Sequence, residues 1–371
     1  MAIWKIDELG EFVTLKRGYD LPQQKRKNGE IPIFSSSGVT GTHNEAMVEA
    51  PGVITGRYGT IGEVFFAETS FWPLNTTLYV ENFHENDEKF VYYFLKTLEW
   101  KKFASASAVP GINRNTVHKE IVRFPDFETQ QKIASVLSTI DKKIAVNKAI
   151  NDNLEQQAAT YFQELFINNA NPVWQISTIS DLGTVVGGST PSKTKPEYYT
   201  NNGIAWITPK DLSINKSKFI SHGENDITEL GLKNSSATVM PKGTVLFSSR
   251  APIGYIAIAS NEVTTNQGFK SVIPYSEIGT AFVYFFLKHS LPVIESAASG
   301  STFKEISGSA MKNIPAIIPD RSTLDQFNSF CAPIFAQQKI LEEQNHSLAM
   351  LRDSLLPKLM SGAIDIASIQ L

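Results

Sequence analysis

Apolar side chains along this 371-residue chain follow two patterns that alternate from end to end. In the first, short β-branched or aromatic runs lie between glycine, proline and asparagine turns, the signature of half-buried strands. Such runs stand at 53–55, 63–67, 77–80, 244–248, 255–259 and 269–273, with helical patterns at Glu88–Trp100 and Gly279–His289 between them. The second pattern is long and unbroken. From Thr129 to Phe166 there is no glycine or proline, and Ile133, Leu137, Ile140, Ile144, Leu154, Ala158, Tyr161 and Leu165 recur at steps of four and three. Asn147 and Asn151 fill the two intervening steps of what is otherwise a heptad seam. A second seam runs through Leu324, Phe327, Cys331, Ile334, Gln338, Leu341, Asn345, Leu348, Arg352, Leu355 and Leu359.

The two seams are copies. A shift of 194 residues carries the first onto the second at every step from Leu137 to Leu165, the shared polar step Asn151/Asn345 included. Other landmarks repeat in the same order. Trp4 corresponds to Trp174, Ile61-Gly62 to Ile253-Gly254, Asn75 to Asn266, Tyr92–Lys96 to Tyr284–Lys288 and Pro125-Asp126 to Pro319-Asp320. A period this long is a two-copy duplication and not a solenoid.

The fold class expected is therefore α+β. Two similar mixed α/β domains (1–127 and 169–320) are each followed by a long helix (128–168 and 321–362), with a tail at 363–371. A helix of 38 residues is a rod of ~57 Å, and a seam that long needs a partner, which the other copy supplies. Short connections favour an antiparallel coiled coil. Its crossing point then falls at residue 149, which puts Asn147 in one layer with Asn345 and Asn151 opposite Leu341, with Leu154 and Leu348 also in the seam. The neighbouring register would pair Asn147 with Gln338 instead. An asparagine pair satisfies itself and penalises slipped registers. Pro333 and Pro357 should bend or fray the second helix locally. Cys331 lies on the seam, so it reads as a small buried apolar residue.

Composition trims the functional classes. Hydrophobic content is 42% with no apolar run long enough to span a membrane, and the N-terminal stretch lacks the regions of a signal peptide. A cytoplasmic location is expected. One cysteine excludes an internal disulfide framework, and the six histidines have no metal-ligand spacing. The net charge of −3 does not announce a nucleic-acid binder, but basic clusters stand at 16–27 and 193–218. No catalytic constellation is found. Gly187–Thr194 lacks the Gly-Lys-Ser/Thr ending of a phosphate loop, and Val173-Trp174 break the Asn-Pro-Pro-aromatic pattern that Asn171-Pro172 begin.

Gly-Gly-Ser-Thr-Pro-Ser-Lys at 187–193, Trp-Ile-Thr-Pro-Lys-Asp-Leu at 206–212, the two arginine loops G-R-Y-G-T-I-G and S-R-A-P-I-G, and L-L-P-K-L-M-S-G at 355–362 together resemble the DNA-specificity subunit of type I restriction-modification systems. The resemblance covers essentially the whole chain, although the first domain has I-P-I-F-S-S-S-G-V-T-G-T-H-N-E where the Trp-Ile-Thr stretch would stand. It implies a non-catalytic scaffold with one target-recognition domain per half of an interrupted DNA target. It also implies that the helices dock two modification subunits. Those partners would bind S-adenosylmethionine and methylate adenine, and motor-nuclease subunits could join them.

Within that reading the arginine loops are the leading DNA contacts. Arginine to guanine is the commonest specific base contact, and glycine beside it lets the backbone approach phosphate. Arg57, Tyr58 and Arg250 come first, followed by Arg17, Lys193, Lys210 and the loop residues Arg114 and Lys304. The plain alternative is that these arginines sit on turns and pair with nearby acids. Two rival functions are a protein-interaction scaffold using the heptads, and an enzyme whose site carries no recognisable motif.

Overall fold

The computed structural model describes residues 3–105, 110–300 and 304–366, so positions 367–371 of the expected tail lie outside it. The chain divides into two compact units, one of residues 1–145 with 346–371, the other of residues 146–345. Each unit therefore takes part of both long helices.

Unit 1 is built on a four-stranded antiparallel sheet in the order Thr14–Arg17, Thr77–Asn82, Gly52–Gly56, Val64–Ala67. A three-stranded sheet (Gly38–His43, Ile31–Ser35, Trp72–Pro73) adjoins it, and Trp4–Glu8 pairs with Ile121–Pro125. The core packs Phe12 against Phe94 and Phe124 at ring distances of 5.0 and 4.4 Å. The helix expected over Glu88–Trp100 starts on an Asp87 cap but ends at Lys96. Trp100 begins a separate turn, and its buried indole N–H donates back to the Leu95 carbonyl at 2.8 Å. Burying that ring with its donor satisfied outweighs continuing the helix.

Unit 2 has a five-stranded sheet in the order Gly183–Gly187, Lys270–Pro274, Val245–Ser249, Ile253–Ala259, Phe219–Ile220. A second sheet joins Tyr199–Thr200, Asn225–Ile227, Ile204–Ile207 and Thr264–Thr265, and Gln175–Thr178 pairs with Pro315–Ile318. The helix Thr280–His289 buries Phe282, Phe285 and Leu287 against Phe162, Phe166 and Phe327.

The long helices span Phe127–Gln163 and Arg321–Met360, the first closing in a wider turn at Glu164–Asn168. The repeated Pro-Asp pair is their start signal. Asp126 accepts from the Thr129 amide at 3.0 Å and Asp320 from the Thr323 amide at 3.0 Å, each satisfying a free N–H of the first turn. Each carboxylate's second oxygen holds the chain before the first strand, through Ile3 N or the Trp174 indole. The second helix runs unbroken through Pro333 and Pro357, so neither frays it. Buried neighbours Cys331 and Ile334 hold the first of these in place.

Within unit 2 the helix segments pack antiparallel. Asn147 Nδ2 donates to Asn345 Oδ1 at 3.0 Å, and Gln326 meets the Tyr161 hydroxyl farther along at 2.6 Å. Asn147 is fully buried, while Leu154 and Leu348 are partly so. Gln338, the partner of Asn147 in the competing register, instead donates from Nε2 to the Asn151 carbonyl at 3.1 Å, and its own carbonyl accepts from Asn151 Nδ2 at 3.4 Å. Cys331 is fully buried, and burial pushes its thiol up to about 12.

Each unit is fastened to its helix segments by a carboxylate and a tyrosine. In unit 1, Asp141 accepts from Tyr93 OH at 2.6 Å and from Arg352 Nη1 at 2.7 Å. In unit 2, Glu155 takes Lys218, Lys288 and Tyr284 together. Lys218 is buried, its Nζ 2.6 Å from Gln338 Oε1 and 4.0 Å from the Phe335 ring centre. Burial drives the Lys218 ammonium below its ordinary value, only partly offset by Glu155. Burial also raises the Glu155 carboxyl, but the two lysines outweigh it and leave that group below its ordinary value. Among the described residues no helix is long and apolar enough to cross a membrane.

Candidate nucleic-acid interface

In unit 1 the four-stranded sheet has one end where Thr14–Arg17 and Gly52–Gly56 finish and Thr77–Asn82 begins, with Arg17 opposite Leu78 and Gly56 opposite Thr77. The pairing brings Arg17 and Arg57 to that end. The amides of Arg57 and Tyr58 both donate to the Thr76 carbonyl, at 2.9 and 3.2 Å. The loop is then clamped from the other side, because Ile112 N donates to Arg57 O at 3.1 Å and Tyr58 bridges Gly111. Arg57 uses its Nε on the Ile112 carbonyl at 3.1 Å and lays its guanidinium 4.5 Å from the Tyr58 ring centre. No ion pair among the described residues includes Arg57, Arg114, Lys193 or Lys304.

Unit 2 repeats the backbone of this arrangement. Gly187 lies opposite Lys270 and Ser248 opposite Phe269, so Arg250 emerges at the corresponding sheet end. Ser249 N donates to Gly268 O at 2.7 Å, and Ile306 N donates to Ser249 O at 3.1 Å. The clamping residue that faces Arg250 is Glu305. Here the side chains differ. Arg250 Nη1 lies 3.4 Å from Glu305 Oε2, and Lys270 Nζ lies 3.6 Å from Glu305 Oε1.

The repeated Ile-Gly has a steric cause. Gly62 and Gly254 hold φ of 85° and 97°, in the left-handed region. A Cβ would come within 2.6 Å of the Trp100 Cβ at the first and of the Leu291 Cδ1 at the second. These glycines turn the chain just past each arginine loop.

The remaining candidates divide. Arg114 opens the short helix Arg114–His118, near the clamp residue Ile112. Lys304 is exposed beside Glu305. Arg17 pairs with Asp20 at 3.8 Å and Lys210 with Glu224 at 2.6 Å, both on the surface, where such pairs are weak. Lys193 is exposed on the loop after Thr190. Sequence reading missed Glu305 and Lys270. The strand pairing that brings them beside Arg250 is long-range, and the only hint was the position of Glu305 next to Lys304. Among the described residues no cluster could hold a metal ion.

The profile of the type I restriction modification DNA specificity domain matches residues 1–156 and again 172–344. The chain is 39% identical to the specificity subunit of the type I restriction enzyme MjaIX from Methanocaldococcus jannaschii over 193 residues, 50% of this chain and 44% of that relative. The match thus spans less than half of that relative's length. It is 24% identical over 348 residues to the HindI specificity subunit of Haemophilus influenzae, covering 72% of this chain and 75% of the relative. The fold is similar to a solved type I restriction-modification S subunit from M. genitalium, with a TM-score of 0.66, 18% identity and 96% of each chain covered.

Proposed function

We propose, from the premise that the chain belongs to the type I restriction modification DNA specificity family, that it reads an interrupted, two-part DNA target with one half-site per domain. Residues 1–127 and 169–320 are the two readers. The helices at 128–168 and 321–362 set their separation and dock two modification subunits, to which motor-nuclease subunits add. The chain itself is non-catalytic. S-adenosylmethionine belongs to the modification subunit, and the assembly works in the cytoplasm.

The observation that carries this reading is the duplicated clamped loop, which carries its arginine at Arg57 in unit 1 and one backbone place later, at Arg250 where Tyr58 stands in unit 1, in unit 2. In each copy it is held to a sheet end by backbone hydrogen bonds on both sides, which leaves the guanidinium as the variable part. A clamped main chain with an arginine at its tip fits base readout in a groove, where one good bidentate pair carries about 1–3 kcal/mol of discrimination.

The test is methylation mapping in the assembled complex. Arg57→Ala should relax one half-site and Arg250→Ala the other. Equal effects of either change on both halves would refute one reader per half-site. Adding or removing one heptad in both helices should change the spacer and leave the half-sites alone. Purified chain incubated with S-adenosylmethionine and DNA should transfer no methyl group.

A further inference from the structure

Position 305 separates the two readers. Glu305 in unit 2 stands where Gly111 stands in unit 1, each bridged to its arginine loop. The main chain of Glu305 is fixed independently of its side chain. Its amide and carbonyl exchange hydrogen bonds with Ser299 at 2.9 and 3.0 Å, and the next amide is bound to Ser249. The side chain is therefore free to serve something other than the fold. It remains 37% exposed between Arg250 Nη1 at 3.4 Å and Lys270 Nζ at 3.6 Å, with Ser249 Oγ at 3.5 Å from Oε1.

A carboxylate on a DNA-facing surface is repelled by phosphate. Here two cations and one anion leave the cluster with a net charge of +1, so the surface can still approach the duplex. In the major groove a G·C pair offers two acceptors on guanine, N7 and O6, beside one donor on cytosine, N4. An arginine next to a carboxylate is the matching array. We propose that Arg250 and Glu305 together read one G·C pair of the second half-site. The guanidinium donates to guanine O6 and N7, and the carboxylate accepts from cytosine N4. Lys270, whose side chain is only 16% exposed, stays with the carboxylate when Arg250 turns to the base.

Unit 1 lacks this device. A Cβ on Gly111 would lie 2.1 Å from the Tyr58 ring, so no side chain fits there. Arg57 rests on an aromatic face instead. The first half-site is read without a carboxylate at this point.

The proposal rests on the assignment of the Arg250 loop to DNA reading, and the experiment separates the two. Methylated sites are mapped genome-wide in cells carrying the chain and its modification subunit, for wild type, Glu305→Ala, Glu305→Gln and Arg250→Ala. The second half-site should contain a fixed G·C pair. Both Glu305 changes should relax its identity by roughly tenfold, Arg250→Ala should relax the same pair, and the first half-site should stay unchanged. The glutamine variant keeps the side-chain shape should the alanine variant be poorly folded. An altered map with Arg250→Ala but an intact one with both Glu305 variants overturns the inference and leaves the arginine assignment standing. No change with any variant overturns the assignment itself. A uniform fall in methylation with no change of sequence preference would mean that Glu305 only supports the fold, and that also overturns the inference.

Discussion

The two units solve one backbone problem twice and one side-chain problem in two ways. The cap aspartates, the left-handed glycines and the clamped arginine loops recur. The charges around them do not. In unit 1 the carboxylate that ties domain to helices, Asp141, is partly exposed and meets a partly exposed arginine. In unit 2 Glu155 is paired with Lys218, whose side chain is only 6% exposed. Duplication thus preserves what the main chain requires, because a lost cap or a filled turn has no local substitute. Side-chain partners can be exchanged wherever a new donor reaches the same acceptor.

That contrast can be broken most sharply at the buried pair. Glu155→Ala should destabilise unit 2 by about 3–5 kcal/mol, because it leaves the Lys218 ammonium buried without its carboxylate. The probe is native-state alkylation of Cys331, the chain's only cysteine, which lies in unit 2 and is shielded there. The double change Glu155→Leu with Lys218→Met should recover most of the loss. A single change no costlier than the double would sink the contrast.

Next come the turn glycines. Gly62→Ala should cost about 2 kcal/mol from the left-handed backbone and the clash with Trp100. Gly254→Ala should cost less, since Leu291 is only partly buried and can move aside. Thermal melts that rank the two in reverse order would contradict the role given to Trp100. Asp141→Ala is expected to cost about 1–2 kcal/mol, mainly from the lost bond of Tyr93, which is clearly less than Glu155→Ala in the same denaturation series.

The smallest effect is acid sensitivity confined to unit 1. Burial first, then the charges of Arg114 and His84, hold the His118 imidazole below its ordinary value, and its Nε2 accepts from the Leu15 amide at 2.9 Å. The unfolded chain takes the proton more readily. Stability from this group is complete above about pH 6.5 and is lost as pH falls through the lower folded value. Melts at pH 7.5 and 5.5 should show a smaller acid loss in His118→Gln than in wild type, and identical losses would reject the assignment.

Helices and their seam were legible because a heptad is a local statement that the chain repeats for forty residues. The asparagine layer could be read as well, since the 194-residue shift and antiparallel packing leave few registers, and the 3.0 Å bond joins Asn147 to Asn345. The arginine loops stood out by repetition. Their electrostatic partners did not. Glu305 meets Arg250 across fifty-five residues, and Lys270 reaches the same carboxylate from a different strand. Lys218 looked like one more surface lysine in a basic stretch, yet it is buried among Tyr284, Phe285 and Phe335. Sequence spacing cannot disclose burial of that kind.

One consequence of the division into units concerns the order in which the chain is made. Unit 2 is a single stretch, residues 146–345, whereas unit 1 is assembled from both sides of it. Leu359, Met360 and Ile366 belong to the unit 1 core that Leu9 and Phe12 begin. On the ribosome the first 145 residues emerge early but must wait for the segment after 345 to complete their core, while unit 2 can close as soon as its own stretch is out. Residues 1–145 complete their core only with the segment beyond 345, so unit 1 closes after unit 2 although most of it comes earlier in the chain.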